Sequence, residues 1–379
     1  MMERAARNII DGREHAATPR VTAIIDTYNY GRFLEDAVES VLSQDFPPEE
    51  LEILVVDDGS TDDTAERMKK YAGRVEYCYK ANGGQASAFN CGIARARGEI
   101  VALLDADDYW LPGKLRRIAG EFERNPDVGF VYHPLRRMKT ETGEWQDGPF
   151  DAIAGDVPSD IRKLLRYTAT QTSGMAFRRR LASQLLPLNE AIKIDADAVL
   201  SALIIFLAPV AAVPEQLGIY RIHGANLYFE SNSEGDKLRL IRRITNLNVV
   251  IGEIDRWLTA HGYDLQGKEV LAFRRRWRLM LEKEQFRYEA PGRVHFFLHL
   301  VRAMTCMNPC LNAKIQTVNM LNLVGCLIFG YEDYTRLDDW RIFMKNIYSK
   351  DGATRRSRVR SGIRDGAEGH WQGSSEDQH

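Results

Sequence analysis

From Val21 onward the chain alternates short apolar runs with amphipathic segments, and this alternation limits the possible folds more than any other feature. "VTAIID", "LEILVVDD", "RVEYCYK" and "EIVALLDADD" read as strands. Between them lie three helical patterns, "GRFLEDAVESVLSQ", "STDDTAERMKKYA" and "GQASAFNCGIARA". In the first, Phe33, Leu34, Ala37, Val38, Val41 and Leu42 share one face. In the second, Ser60 or Thr61 is expected to cap the helix, with acids in its first turn where the helix dipole favours them. Strands that return through helices predict an α/β protein with a mostly parallel sheet flanked by helices on both faces. Ligands of such sheets bind beyond the carboxyl ends of the strands.

Two of those carboxyl ends are acidic. "IVALLDADDYW" runs from an apolar strand into Asp105, Asp107 and Asp108, and "VVDDGS" ends on Asp57 and Asp58. Crowded carboxylates repel one another and are costly to desolvate unless a cation or hydrogen-bond donors compensate. Side chains two apart on an extended chain share a face, so Asp105 and Asp107 can converge on one ion while Ala106 points away. Hard oxygen ligands suit Mg²⁺ or Mn²⁺. An EF-hand loop is excluded, because its fifth, glycine and closing glutamate positions would be Tyr109, Trp110 and Arg116. Asp108 is available to cap the helix of "LPGKLRRIAGEF", which would explain one acid of the three. Gly83 and Gly84 in "NGGQASAFN" lack the spacing of a P-loop or a dinucleotide fingerprint and read as backbone room beside a ligand.

The rest of the chain sets the boundaries. At 379 residues and 44% hydrophobic content it can bury a large core. A net charge of −2 gives no global attraction to nucleic acid, and none is expected as a partner. Five scattered cysteines, Cys78, Cys91, Cys306, Cys310 and Cys326, form no CxxC pair and suggest reduced thiols in a cytoplasmic protein. "VLSALIIFLAPVAAV", broken by Pro209, reads as a buried helix followed by a short strand, and no run reaches the roughly 18 apolar residues of a membrane span. After Tyr220 the patterns become helical and rich in arginine, as in "DKLRLIRRITNLNVVIGEIDRWL", "VLAFRRRWRLMLEKEQFRYEA" and "VHFFLHLVRAMTCM". The expected organisation is a flexible lead over 1–19, a catalytic α/β domain over 20–228, a helical region over 229–349 and a disordered tail over 350–379. Contact of the helical region with a membrane surface, or a homo-oligomer formed through it, stays open.

The ordered series "VTAIIDTYNYGRFLEDAVESVLSQ", "EILVVDDGSTDDT" and "NGGQASAFNCGIARARGEIVALLDADDYW", with "YRIHGAN" further on, resembles the family 2 inverting glycosyltransferases of GT-A fold. The resemblance implies transfer of a sugar from a nucleoside-diphosphate sugar to a hydroxyl of a glycan or lipid-linked acceptor in cell-surface polysaccharide biosynthesis, with Mn²⁺ or Mg²⁺ as cofactor. It implies work in the cytoplasm or at the cytoplasmic face of the membrane. It also implies that Thr27, Tyr28, Asp58, Gln85, Asp105 and Ala106 meet the donor, with the Tyr28 ring against the nucleobase and Asp58 hydrogen-bonded to it. Asp105 would lie near the ribose, Asp107 would ligate the metal with Asp105, and His223 would be a third ligand. Asp26 departs from the small residue or proline more usual at its position. In "LNEAIKIDADAVLSALIIF", Asp197 matches the later acidic motif and is the expected base, with Asp195 in reserve. "YTATQTSGMAFRR" would face the acceptor through Thr172 and Ser173. A nucleotidyltransferase making the sugar nucleotide usually carries a glycine-rich arginine loop that "DTYNYGRF" lacks. A non-catalytic nucleotide- or glycan-binding protein is the remaining alternative.

Overall fold

The computed structural model describes residues 18–147, 150–167, 171–224, 226 and 235–289. The chain divides into two compact units, Met1–Glu289 and Ala290–His379. The expected lead before residue 18, the segment "VHFFLHLVRAMTCM", Cys306, Cys310, Cys326 and the tail from 350 lie outside the described residues.

In chain order the elements are β1 (Val21–Thr27), α1 (Gly31–Leu42), β2 (Leu51–Asp57), α2 (Thr64–Met68), β3 (Glu76–Tyr79), α3 (Gln85–Arg95), β4 (Ile100–Asp105), β5 (Tyr109–Trp110) and α4 (Lys114–Arg124). They continue with β6 (Phe130–Tyr132), β7 (Arg136–Lys139), β8 (Trp145–Asp147), α5 (Ile161–Arg166), β9 (Met175–Arg178), α6 (Arg179–Ala182), α7 (Ala196–Ile204), β10 (Val210–Ala212), β11 (Gly218–Ile222), α8 (Gly235–Ala260) and α9 (Lys268–Glu289). The main sheet has the order β10-β6-β9-β4-β1-β2-β3, and only β9 runs against its neighbours. A smaller sheet, β5-β11-β7-β8, stands apart from it.

The strands' two-residue period sorts their side chains into two cores. Val21, Ala23 and Ile25 of β1, Ile53 and Val55 of β2, and Ile100, Ala102 and Leu104 of β4 meet α1 and α4 on one face. Ile24, Leu54, Val56, Val101 and Leu103 point the other way, toward α3 and α7. Strands buried on both faces need continuous apolar runs, which is why these segments stand out in the sequence. Helix α3 approaches closely because Gly92 has no side chain; a Cβ there would lie 2.8 Å from Ile24 Cγ2. The described helices of the later region join the second core: Leu247, Val250, Ile254 and Trp257 of α8 and Phe273 and Trp277 of α9 are buried in it. Arg274 and Asp255, paired at 2.5 and 2.6 Å, tie α9 to α8. No helix among the described residues is long and apolar enough to cross a membrane.

One local expectation changes. Helix α2 begins at Thr64, with Asp62 Oδ1 accepting from the Thr64 N–H at 3.1 Å, so neither Ser60 nor Thr61 caps it. Ser60 Oγ instead accepts from the Asn29 N–H, and the Thr61 N–H donates to Asn29 Oδ1, joining the turn after β1 to the turn after β2. On α1, Leu34, Ala37, Val38 and Val41 are buried, and Phe33 and Leu42 are half-buried at the margin of the same face.

Candidate functional site

Register brings the acids together. Strands β1 and β4 pair Asp26 with Asp105, and β1 and β2 pair Thr27 with Asp57. The three strand ends therefore open at one level of the sheet, where a ligand is expected. Backbone bonds lock this edge: Ala106 N–H donates to Asp26 O at 3.1 Å and Asp58 N–H to Thr27 O at 2.9 Å.

After β4 the chain turns so that carboxylate oxygens of Asp105, Asp107 and Asp108 lie within 4.8 Å of one another. Asp107 Oδ2 is 3.1 Å from His223 Nε2 and accepts from Asn226 Nδ2 at 3.3 Å. Phe33 stacks on the His223 ring with centroids 4.5 Å apart, and Tyr30 meets its edge at 5.7 Å. The structure thus brings together Asp105, Asp107 and the distant His223. Asp108 does not cap α4, whose first residues have no side-chain cap. It is fully buried, accepting from Ser173 Oγ at 2.6 Å and from the Arg221 N–H at 3.0 Å.

Ser173 is likewise not a surface contact of an acceptor loop. It has no exposure, its Oγ accepts from the Asp105 N–H at 3.1 Å, and its carbonyl accepts from Trp110 Nε1 and from the buried Lys114 Nζ. Its neighbour Thr172 is buried too and donates to Asp197 Oδ2 at 3.1 Å. This dipeptide consequently braces the acids after β4 and the acid of α7 at once.

Asp197 sits in the first turn of α7, and its Oδ1 accepts from the Ala198 N–H at 2.8 Å. Asp195 precedes the helix in the left-handed region, with φ 64°. Asn246 of α8 holds that turn: its Oδ1 accepts from the Lys193 and Ile194 N–H groups, and its Nδ2 donates to Ile194 O and Asp195 Oδ2. Gln85 links the same region to α3, with Oε1 accepting from the Ala196 N–H at 3.0 Å.

Asp58 is buried and holds the glycine turn. It accepts from Lys80 Nζ at 2.6 Å, from the Gly83 N–H at 3.0 Å and from the Gly84 N–H at 2.6 Å. Gly84 has φ +86°, and a Cβ on it would lie 2.8 Å from Lys193 Cα. Tyr28, by contrast, in the turn after β1, is 47% exposed.

The electrostatics are those of an anionic cluster short of positive charge. Burial, then the charges of Asp26, Asp108 and Asp107, hold the Asp105 carboxyl well above the usual range. Burial and Asp107 do the same to Asp108, against the opposing pull of Ser173 and Arg221. Asp26, with a side-chain hydrogen bond to Asp105, is pushed up to about 7 by burial and then by Asp107. Burial also raises Asp197 and pushes Asp195 up to about 7, with the charge of Asp197 adding to the latter. Arg221, a cation beside the cluster, directs its Nη1 and Nη2 to Asp36 and the Phe33 carbonyl. At the end of β1 two buried oxygens, Asp26 Oδ1 and Thr27 Oγ1, have no hydrogen-bond partner among the described residues. Native structures leave few such atoms, and those present commonly mark an ion or ligand site. A divalent ion suits this donor set of hard oxygens with one imidazole.

Asp26 was visible in the sequence only as a departure. Asn226, three residues after His223 in the same motif, and Tyr30, two after Tyr28, carry no signal that separates them from ordinary loop and helix residues.

Comparison with known proteins agrees with this geometry. Residues 22–186 match the model of glycosyl transferase family 2. An uncharacterized glycosyltransferase of Nostoc sp. is 35% identical over 56% of this chain and 68% of its own length. An uncharacterized protein of Mycobacterium tuberculosis is 24% identical over 61% of this chain and 72% of its own. Among solved structures, the mannosyltransferase PcManGT from Pyrobaculum calidifontis, determined with GDP-Man and Mn²⁺, superposes with a TM-score of 0.52 at 18% identity, covering 92% of this chain and 94% of that one. The last similarity extends the GT-A-like fold over the α/β core described above.

Proposed function

Because this chain belongs to glycosyl transferase family 2, we propose that it is an inverting, metal-dependent enzyme that moves a sugar from a nucleoside-diphosphate sugar to a hydroxyl of a glycan or lipid-linked acceptor. One observation carries the reading: Asp105, Asp107 and His223 converge at the strand ends while Asp197, from a separate helix, is joined to the same acids through the Thr172–Ser173 dipeptide. Asp105, Asp107 and His223 would hold a divalent ion, which when bound neutralises charge developing on the diphosphate leaving group. Tyr28 offers an exposed ring against which a nucleobase can stack. Asp58 acts by holding the Gly83–Gly84 turn, so that the backbone near the donor stays open. Asp197 takes the proton from the acceptor hydroxyl as it attacks the anomeric carbon from the face opposite the departing diphosphate. Burial raises its proton affinity, which favours taking a proton from the hydroxyl. Thr172 and the Ala198 N–H fix its two oxygens, leaving lone pairs of each for the incoming proton.

The test is a panel of nucleoside-diphosphate sugars incubated with the protein, Mn²⁺ and glycan or lipid-linked acceptors, with nucleoside diphosphate release as the readout. Release that requires Mn²⁺ and is lost in Asp197→Ala, while nucleotide affinity persists, supports the proposal. Pyrophosphate release from a sugar 1-phosphate and a nucleoside triphosphate would assign the protein to nucleotidyl transfer instead. Nucleotide binding with no turnover of any donor would leave a binding protein.

A further inference from the structure

The sequence separates Cys78 and Cys91 by 13 residues, and no spacing motif joins them, but the fold places their Sγ atoms 3.5 Å apart. Cys78 lies on β3 and Cys91 on α3, so the pair spans a sheet-to-helix contact. Both are free thiols. They differ in environment in the way a reacting and a resolving thiol should. Cys78 is 8% exposed, and burial raises its proton affinity. Cys91 is only partly buried. Susceptibility to peroxide follows exposure, which makes Cys91 the thiol attacked first.

We propose that Cys78 and Cys91 are a dithiol oxidation site, at which a hydroperoxide converts Cys91 to a sulfenic acid that Cys78 resolves into an intrachain disulfide. In the first step the Cys91 sulfur attacks the peroxide oxygen, an S–O bond forms, the O–O bond breaks, and the departing oxygen leaves protonated as water or an alcohol. In the second step the Cys78 sulfur attacks the Cys91 sulfur, the S–S bond forms, the S–O bond breaks, and hydroxide leaves with the Cys78 proton as water. Two electrons pass from the thiol pair to the peroxide. The sulfurs are already in contact, so only a short approach separates them from bonding distance. The closed loop would contain Lys80, Gly83 and Gly84, whose donors meet Asp58, and Gln85 at the start of α3. The site stands on its own and does not depend on the glycosyl-transfer reading.

The full chain is treated with hydrogen peroxide, its remaining thiols are blocked, and non-reduced peptides are mapped by mass. The expected product is a Cys78–Cys91 linked peptide, lighter than the two thiol peptides together by about 2 Da, the two hydrogens lost on oxidation. It reverts with dithiothreitol. In Cys78→Ser a sulfenic-acid probe such as dimedone should label Cys91. Equal alkylation of both thiols before and after peroxide, or linkage of either to another cysteine, would overturn the assignment. The wild-type map decides this even if a variant fails to fold.

Discussion

Replacing Asp195 with asparagine should change how stability depends on pH, in a direction fixed by the structure. The folded protein raises this carboxyl from its ordinary 3.8 to about 7, first through burial and then through the charge of Asp197. A carboxyl raised on folding stabilises the native state fully below its unfolded value, and the contribution disappears as pH rises through the folded value. The full shift corresponds to about 4 kcal/mol, of which about 2.5 kcal/mol disappears between pH 5 and pH 8. Asp195 keeps some solvent contact, which screens the effect, so a loss of about 1–2 kcal/mol over that window is the realistic expectation. Asparagine cannot ionise, and its side-chain oxygen can still accept from Asn246 Nδ2, the bond that holds the left-handed turn. The variant should therefore lose less stability than the wild type between pH 5 and pH 8. Urea denaturation of the metal-free proteins at both values measures this. Parallel losses in the two proteins would show that Asp195 is not a buried, proton-holding group and would refute the reasoning.

Three further substitutions test the braces of the site. Ser173→Ala leaves the Asp105 N–H without its partner and Asp108 with the Arg221 N–H but no hydroxyl donor, and should cost about 1–3 kcal/mol in urea denaturation; a loss within error of zero would mean the hub is dispensable. Gly84→Ala forces a Cβ against Lys193 at positive φ, should cost about 1–3 kcal/mol and should weaken nucleotide binding, as read by thermal denaturation with and without nucleotide; wild-type behaviour would remove the role given to the turn. Thr172→Val removes one bond that orients Asp197, and steady-state kinetics should show kcat down about 10-fold with donor KM little changed and Thr172→Ser restoring it; a change in KM alone would place Thr172 in substrate binding.

The α/β layering was legible because parallel strands covered on both faces require long apolar runs, and "VTAIID", "LEILVVDD" and "EIVALLDADD" become β1, β2 and β4. The buried helix and short strand read from "VLSALIIFLAPVAAV" become α7 and β10. The smaller sheet left no such trace. Its strands β5, β7 and β8 are two to four residues long, and "RRMK" and "WQD" have half-buried or exposed side chains without an apolar run. Nor does sequence encode strand direction, so reversed β9 resembles its parallel neighbours. At the site, acids at strand ends could be located because strand ends can. What each polar residue bonds to could not, since the partners lie far along the chain: Ser173 meets Asp108 across 65 residues, and Gln85 meets Ala196 across 111. Asp108 and Ser173 consequently look like a cap and an acceptor contact but turn out to be interior braces.

The central claim is that the carboxylates gathered after β4 are tolerable because a divalent ion and a diphosphate occupy the space they border. Isothermal titration of nucleoside diphosphate into the wild type and Asp107→Asn, with Mn²⁺ and with EDTA, tests it directly. Wild-type affinity should rise by about 1–3 kcal/mol with Mn²⁺, the range of a charge-assisted contact, and this gain should vanish in Asp107→Asn. Equal affinities with and without Mn²⁺ in the wild type, or a Mn²⁺ gain that survives the loss of the Asp107 charge, would contradict the account.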